Sequence, residues 1–122
     1  MKTKSNGKGK SGGVVSASTV TGDSVKSLKG EDLGKIEEIM LDQASGRVVC
    51  AVLSFGGFLG MGDKLFAVPW AALSLNKTRD GFILNADQKV LEQAPGFDKN
   101  DWPDFTDPAW SEGMHAHYGA TV

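Results

Sequence analysis

From Val14 onward, apolar and polar positions alternate in short runs, and turn residues recur at intervals suited to short β-strands. "DSVKSL" reads as a first strand and "KGED" as the turn after it. "LGKIEEIMLD" is rich in β-formers, but Ile36, Ile39 and Leu41 cannot share one face of a regular strand. A bulge near Glu37–Glu38 is therefore expected. A helix is the competing reading, since Ile36, Ile39 and Met40 also fit helical spacing; Gly34 and the β-rich neighbours favour the strand. "DQASGR" is a compact turn, in which Asp42 bonds back to the backbone and Gly46 supplies a positive φ. "RVVCAVLSF" is apolar without a break, the pattern of a strand covered on both faces. "LFAVPW" follows, and Pro69, which has no N–H to donate, should end it, bulge it or place it at an edge. "AALSLN" and "GFILNA" complete the strands, and "DQKVLEQAPG" reads as one short helix capped by Asp87 and stopped by Pro95–Gly96.

Two segments break this rhythm. Residues 1–13 have lysines, serines and glycines but no apolar stretch, so they read as a disordered basic tail ahead of a domain at 14–94. In the extension at 95–122, Phe97, Trp102, Phe105 and Trp110 are interleaved with aspartates, and Pro103 and Pro108 argue against regular structure. The expectation is an irregular aromatic strap laid over the domain, with "WSEGMHAHYGATV" a loose end anchored at most by Tyr118. The predicted fold is all-β: a small barrel of five to six strands with one short helix and this strap.

Composition narrows the functional classes. The chain has 122 residues, 40% of them hydrophobic and 23% charged, which suits one domain with a modest core. No apolar run approaches the roughly 18–20 residues of a membrane span, so a cytoplasmic location is the default expectation. Lys2, Lys4, Lys8 and Lys10 hold four of the thirteen basic residues, leaving nine against fifteen acidic residues elsewhere, a net −6. That acidic surface disfavours nucleic acid. The basic tail keeps an RNA- or ribosome-associated role open as an alternative. Cys50 is the single cysteine, so an intrachain disulfide is excluded, and it reads as a core residue.

Candidate chemistries fail on their own motifs. "FGGFLGMGDKLF" superficially suggests a phosphate loop, but Asp63 stands where a P-loop needs lysine and Leu65 where it needs a hydroxyl. It reads instead as a long glycine-rich hairpin loop whose Phe58, Leu59 and Met61 either fold back or meet another chain. Glu37 and Glu38, adjacent on a strand, point to opposite faces. "FDKNDWPD" lacks the oxygen ligand and glycine of a calcium loop, and His115 and His117 lie in the tail, outside the expected barrel. No catalytic residue, metal or cofactor is expected.

The stretch "GEDLGKIEEIMLDQASGRVVCAVLSFGG" resembles the signature of PRC-barrel domains, through Gly30, Leu33, Gly34, Lys35, Ile36, Asp42, Gly46, Val48 and Val49. "LFAVPWAAL" is similar to that family's second conserved segment, through Phe66, Val68, Pro69, Trp70 and Leu73. "VLEQAPGFDKNDWPDFTDPAW" resembles the extension of stand-alone bacterial members. The resemblance implies a small β-barrel. Members include the cytoplasmic domain of the photosynthetic reaction centre H subunit and the C-terminal domain of the ribosome maturation factor. They dock on protein or ribonucleoprotein and share no catalytic motif. The expected function is thus a non-enzymatic protein-interaction or scaffold module, forming a homodimer or higher oligomer, with Phe58, Leu59 and Met61 as contact residues. A small-ligand-binding barrel is a further alternative.

Overall fold

The computed structural model describes residues 14–56, 63–75 and 81–119. Its elements run α1 (Ala17–Val20), β1 (Ser24–Lys26), β2 (Asp32–Leu41), β3 (Val48–Gly56), β4 (Asp63–Pro69), a 3-10 turn (Trp70–Ala72), β5 (Leu73–Leu75), β6 (Phe82–Leu84), α2 (Gln88–Glu92) and α3 (Pro108–His117). The strands form one six-stranded sheet in the order β4-β3-β2-β1-β6-β5, curled as a half-barrel. All neighbours are antiparallel except β1 and β6.

The sheet's shape follows from local breaks in alternation. Pairing of β2 with β3 passes from Ile36↔Leu53 to Glu38↔Val52, so Glu37 is the extra residue of a bulge where the sequence required one. Gly34 has φ +89°, and a Cβ there would collide with the carbonyl oxygen of Ser54. Against β1, pairing passes from Ser24↔Lys35 to Lys26↔Asp32, so a second irregularity at Leu33–Gly34 lets Leu33 and Ile36, three residues apart, both enter the core at 1% exposure or less. At the β2–β3 turn, the Ser45 N–H donates to Asp42 Oδ2 at 2.9 Å and the Gly46 N–H to the Asp42 carbonyl at 2.7 Å, with Gly46 at φ +77°. β3 is buried without interruption from Cys50 to Ser54, so both of its faces are covered. β4 is an edge strand that ends at Pro69, which pairs with Cys50. The chain turns there, and Trp70 packs its ring 6.0 Å from that of Phe82.

α2 begins as the sequence indicated: Asp87 caps it by accepting from the Val90 N–H at 3.2 Å. A second cap comes from far along the chain. Glu31 Oε1 accepts from the Gln88 N–H at 3.1 Å and from the Ser27 hydroxyl at 2.8 Å, tying the β1–β2 turn to α2.

The C-terminal segment corrects the sequence reading. Residues 108–117 are a helix, α3, rather than part of an irregular strap and a loose end. Pro108 does not break it, because it occupies the first turn, where the missing N–H has no partner to lose. Asp107 caps it by accepting from the Ala109 N–H at 3.0 Å. α3 packs against β4, and its Met114 and the following Tyr118 join the same core cluster as Val25, Leu53 and Val68. α1 was likewise not anticipated, so the described residues form three short α-helices where one was expected.

Candidate functional site

The base of the glycine-rich loop is built by the ends of β3 and β4. Gly56 pairs with Asp63, and Phe55 with Lys64. Pairing places opposed residues on the same face, so Phe55, Lys64 and, two positions on, Phe66 share one. The rings of Phe55 and Phe66 meet edge to face at 6.3 Å. They floor an open groove of about 700 Å³, whose lining includes Asp32, Lys35 and Ser54 from the sheet and Gln88 and Glu92 from α2. Gly34 belongs to the same wall, with no side chain to obstruct it.

Both signs of charge surround the groove. Lys35 and Lys64 are exposed. Asp32 Oδ1 accepts from the Gly34 N–H at 3.0 Å, and Glu92 Oε2 accepts from Gln88 Nε2 at 2.9 Å. The Ser54 hydroxyl is buried with no hydrogen-bond partner among the described residues. Mixed charge over two aromatic rings can hold a peptide-like surface. It does not concentrate the positive charge or the ordered N–H groups that a phosphate needs.

Other candidates are dispersed. Burial pushes the Cys50 thiol up to about 12, so it stays protonated and poorly nucleophilic at neutral pH. Glu37 and Glu38 are both exposed. The His115 Nδ1 is committed to the Ser111 carbonyl at 2.8 Å, and His117 Nε2 donates to the Val90 carbonyl at 2.7 Å, fastening α3 to α2. Among the described residues, no group of three or more His, Cys, Asp or Glu side chains is arranged to hold a metal ion. No described helix is long and apolar enough to cross a membrane. Phe58, Leu59 and Met61, and Lys2, Lys4, Lys8 and Lys10, lie outside the described residues.

The residues of the sequence signature lie in the core and in turns. Leu33 and Ile36 fill the core, Gly34 permits the seam with β3, and Pro69 is fully buried. Asp42 and Gly46 shape a turn, the Gly30 N–H closes another on the Ser27 carbonyl at 3.0 Å, and Trp70 is half-buried. Sequence reasoning missed Gln88 and Glu92 as groove residues. Their i, i+4 spacing on a predicted helix put them on one face, but nothing local says which strand that face meets.

A curled six-stranded sheet with Leu33, Ile36 and Pro69 fully buried in it fits a small β-barrel module. Compared with known protein families, residues 12–91 match the PRC-barrel domain, and the chain belongs to that family. A search among curated proteins finds no match.

Proposed function

We propose that the chain is a non-catalytic protein-binding module that also associates with itself, using the groove at the foot of residues 57–62 as its contact surface. The groove is the observation that carries this reading: an aromatic floor, exposed charges of both signs, and Gly56, which immediately precedes residues 57–62 in the sequence, in its lining. Burying each of those three side chains in a partner contributes on the order of 1.5–3 kcal/mol before association costs. The buried, protonated Cys50 and the structural use of both histidines support a non-catalytic role. Self-association is supported by β5, a three-residue strand that ends the sheet with no further strand paired to it among the described residues. The test is light scattering of the full chain together with a pull-down from lysate, comparing it with Phe58→Asp and Lys64→Glu. Oligomers and captured protein that both substitutions diminish are expected. A strict monomer that captures nothing refutes the reading.

A further inference from the structure

A second open groove, of about 700 Å³, lies between the β2–β3 turn and the start of α3. Leu41, Val49, Phe105 and Pro108 give it apolar walls, and Asp42 and Asp107 set two carboxylates among them. Leu41 is 60% exposed, so part of this apolar wall is still uncovered. No Lys, Arg or His lines the groove; Arg47, on the same turn, is exposed and outside the lining. The segment 97–112 deepens the negative field, with Asp98, Asp101, Asp104, Asp107 and Glu112 against Lys99 alone. Hydrogen bonds from the side chain and then the backbone of Ser45 hold the Asp42 carboxyl below its ordinary range, so it is charged at neutral pH. A lysine suits such a surface. Its four-carbon stem covers apolar wall while its ammonium reaches a carboxylate.

The chain itself carries lysines of this kind. Residues 1–13 hold Lys2, Lys4, Lys8 and Lys10 and no acid. All four stand at even positions, so an extended backbone would turn every one of them to the same side. The distance can be spanned. The chain joins the sheet beside Ile36, whose carbonyl accepts from the Gly22 N–H at 2.7 Å. Leu41 lies five residues further along β2, at most about 17 Å away. The thirteen residues ahead of Val14 reach up to about 45 Å when extended. Tethering also makes the contact intramolecular, at an effective concentration near millimolar, so an interaction too weak to hold a free peptide is populated.

We propose that the basic segment at residues 1–10 docks in this groove of its own chain, with lysine stems over Leu41 and Phe105 and ammonium groups at Asp42 and Asp107. A docked segment spends on its own domain the lysines that an RNA-associated role needs. The groove shares no lining residue with the one at the glycine-rich loop, so this inference and the protein-binding reading stand or fall separately.

The test compares backbone amide NMR spectra of the full chain and of a chain lacking residues 2–11. At about 20 mM NaCl the deletion should shift Leu41, Val49 and Phe105 most, and at about 500 mM the differences should shrink at least about threefold. Replacing Lys2, Lys4, Lys8 and Lys10 together by glutamine should reproduce the effect of the deletion. In a Leu41→Lys background, which sets a cation in the groove at an exposed position, the deletion should shift nothing there. All of these differences should be independent of protein concentration. Differences that fade on dilution would place a second copy's segment in the groove and overturn the proposal. So would a deletion that shifts nothing, one whose shifts centre on Phe55 and Lys64 instead, or differences that persist in high salt or survive the glutamine replacements. If Leu41→Lys fails to fold, the glutamine variant decides alone.

Discussion

The sheet is held together in two unlike ways. At the β2–β3 seam, Gly34 lies against the Ser54 carbonyl, backbone on backbone, with no side chain between. At the outer edge of β4, the cover rests on one pair of backbone bonds and then on side chains. Leu65 and Phe97 exchange N–H···O bonds of 2.9 and 2.8 Å. From Phe97 a line of rings continues: Trp102 at 5.1 Å, Phe105 6.0 Å from Trp102, and Trp110 4.9 Å from Phe105. The indole N–H of Trp102 donates to the Lys99 carbonyl at 2.6 Å, so the most exposed ring of the line keeps its polar edge satisfied. A backbone seam has no tolerance, because neither partner has a rotamer to change. A ring cover has many small contacts and loses them gradually, and it can leave a cavity without collapsing.

Substitution at the seam should therefore have the largest effect. Gly34→Val adds a clash with fixed backbone to a φ of +89° that branched residues avoid. A loss of more than about 4 kcal/mol is expected, visible as an unfolded chain or a collapsed urea midpoint. On the cover, Trp110→Ala removes a half-buried ring and should cost about 2–3 kcal/mol, leaving a cooperative urea transition at a lower midpoint. An equal loss for the two variants would erase the distinction between seam and cover. Glu31→Ala belongs between them in kind, since one side chain joins the β1–β2 turn to α2. It leaves the Gln88 N–H without its acceptor and the Ser27 hydroxyl, on a residue 2% exposed, without the carboxylate it donates to. About 1–2 kcal/mol is expected, with faster hydrogen exchange confined to α2.

The same distinction explains what could be read from the sequence. The seam side was legible because its signals are local. The apolar run of β3 implied two covered faces, the misfit of Ile36 with Ile39 and Leu41 required a bulge, and Pro69 left β4 to end, bulge or lie at an edge. The cover was only half legible. The density of aromatics pointed to burial, but Pro108 was read as a breaker when the preceding Asp107 made it a helix start, a distinction visible in the Asp–Pro order itself. Met114 and Tyr118 were obscured because α3 buries only a narrow strip, one residue per turn at most, which gives a weak periodic signal. The groove was not legible at all. It depends on where α2 lands against β3 and β4, a tertiary fact with no local signature.

The smallest expected effect compares the two regions with the same chemical device. Asp42, in the turn beside the seam, and Asp104, on the cover, each hold a small turn by hydrogen bonds. Asp42 is bonded by the side chain and then the backbone of Ser45, and Asp104 by those of Thr106; in each case the bonds hold the carboxyl below the usual 3.8. A depressed carboxyl stabilises the fold when ionised. That contribution is complete above the unfolded value and is lost as pH falls through the lower folded one. Asp42→Asn and Asp104→Asn should thus change little at neutral pH, where asparagine still accepts the backbone N–H, and should flatten the fall in melting temperature below about pH 4. Both side chains are in solvent and both contacts are local, so the two flattenings should be alike whether seam or cover lies nearby. A larger acid effect at Asp104 would mean that the ring cover opens as a unit before the barrel, making the cover a separate cooperative element rather than a set of graded contacts.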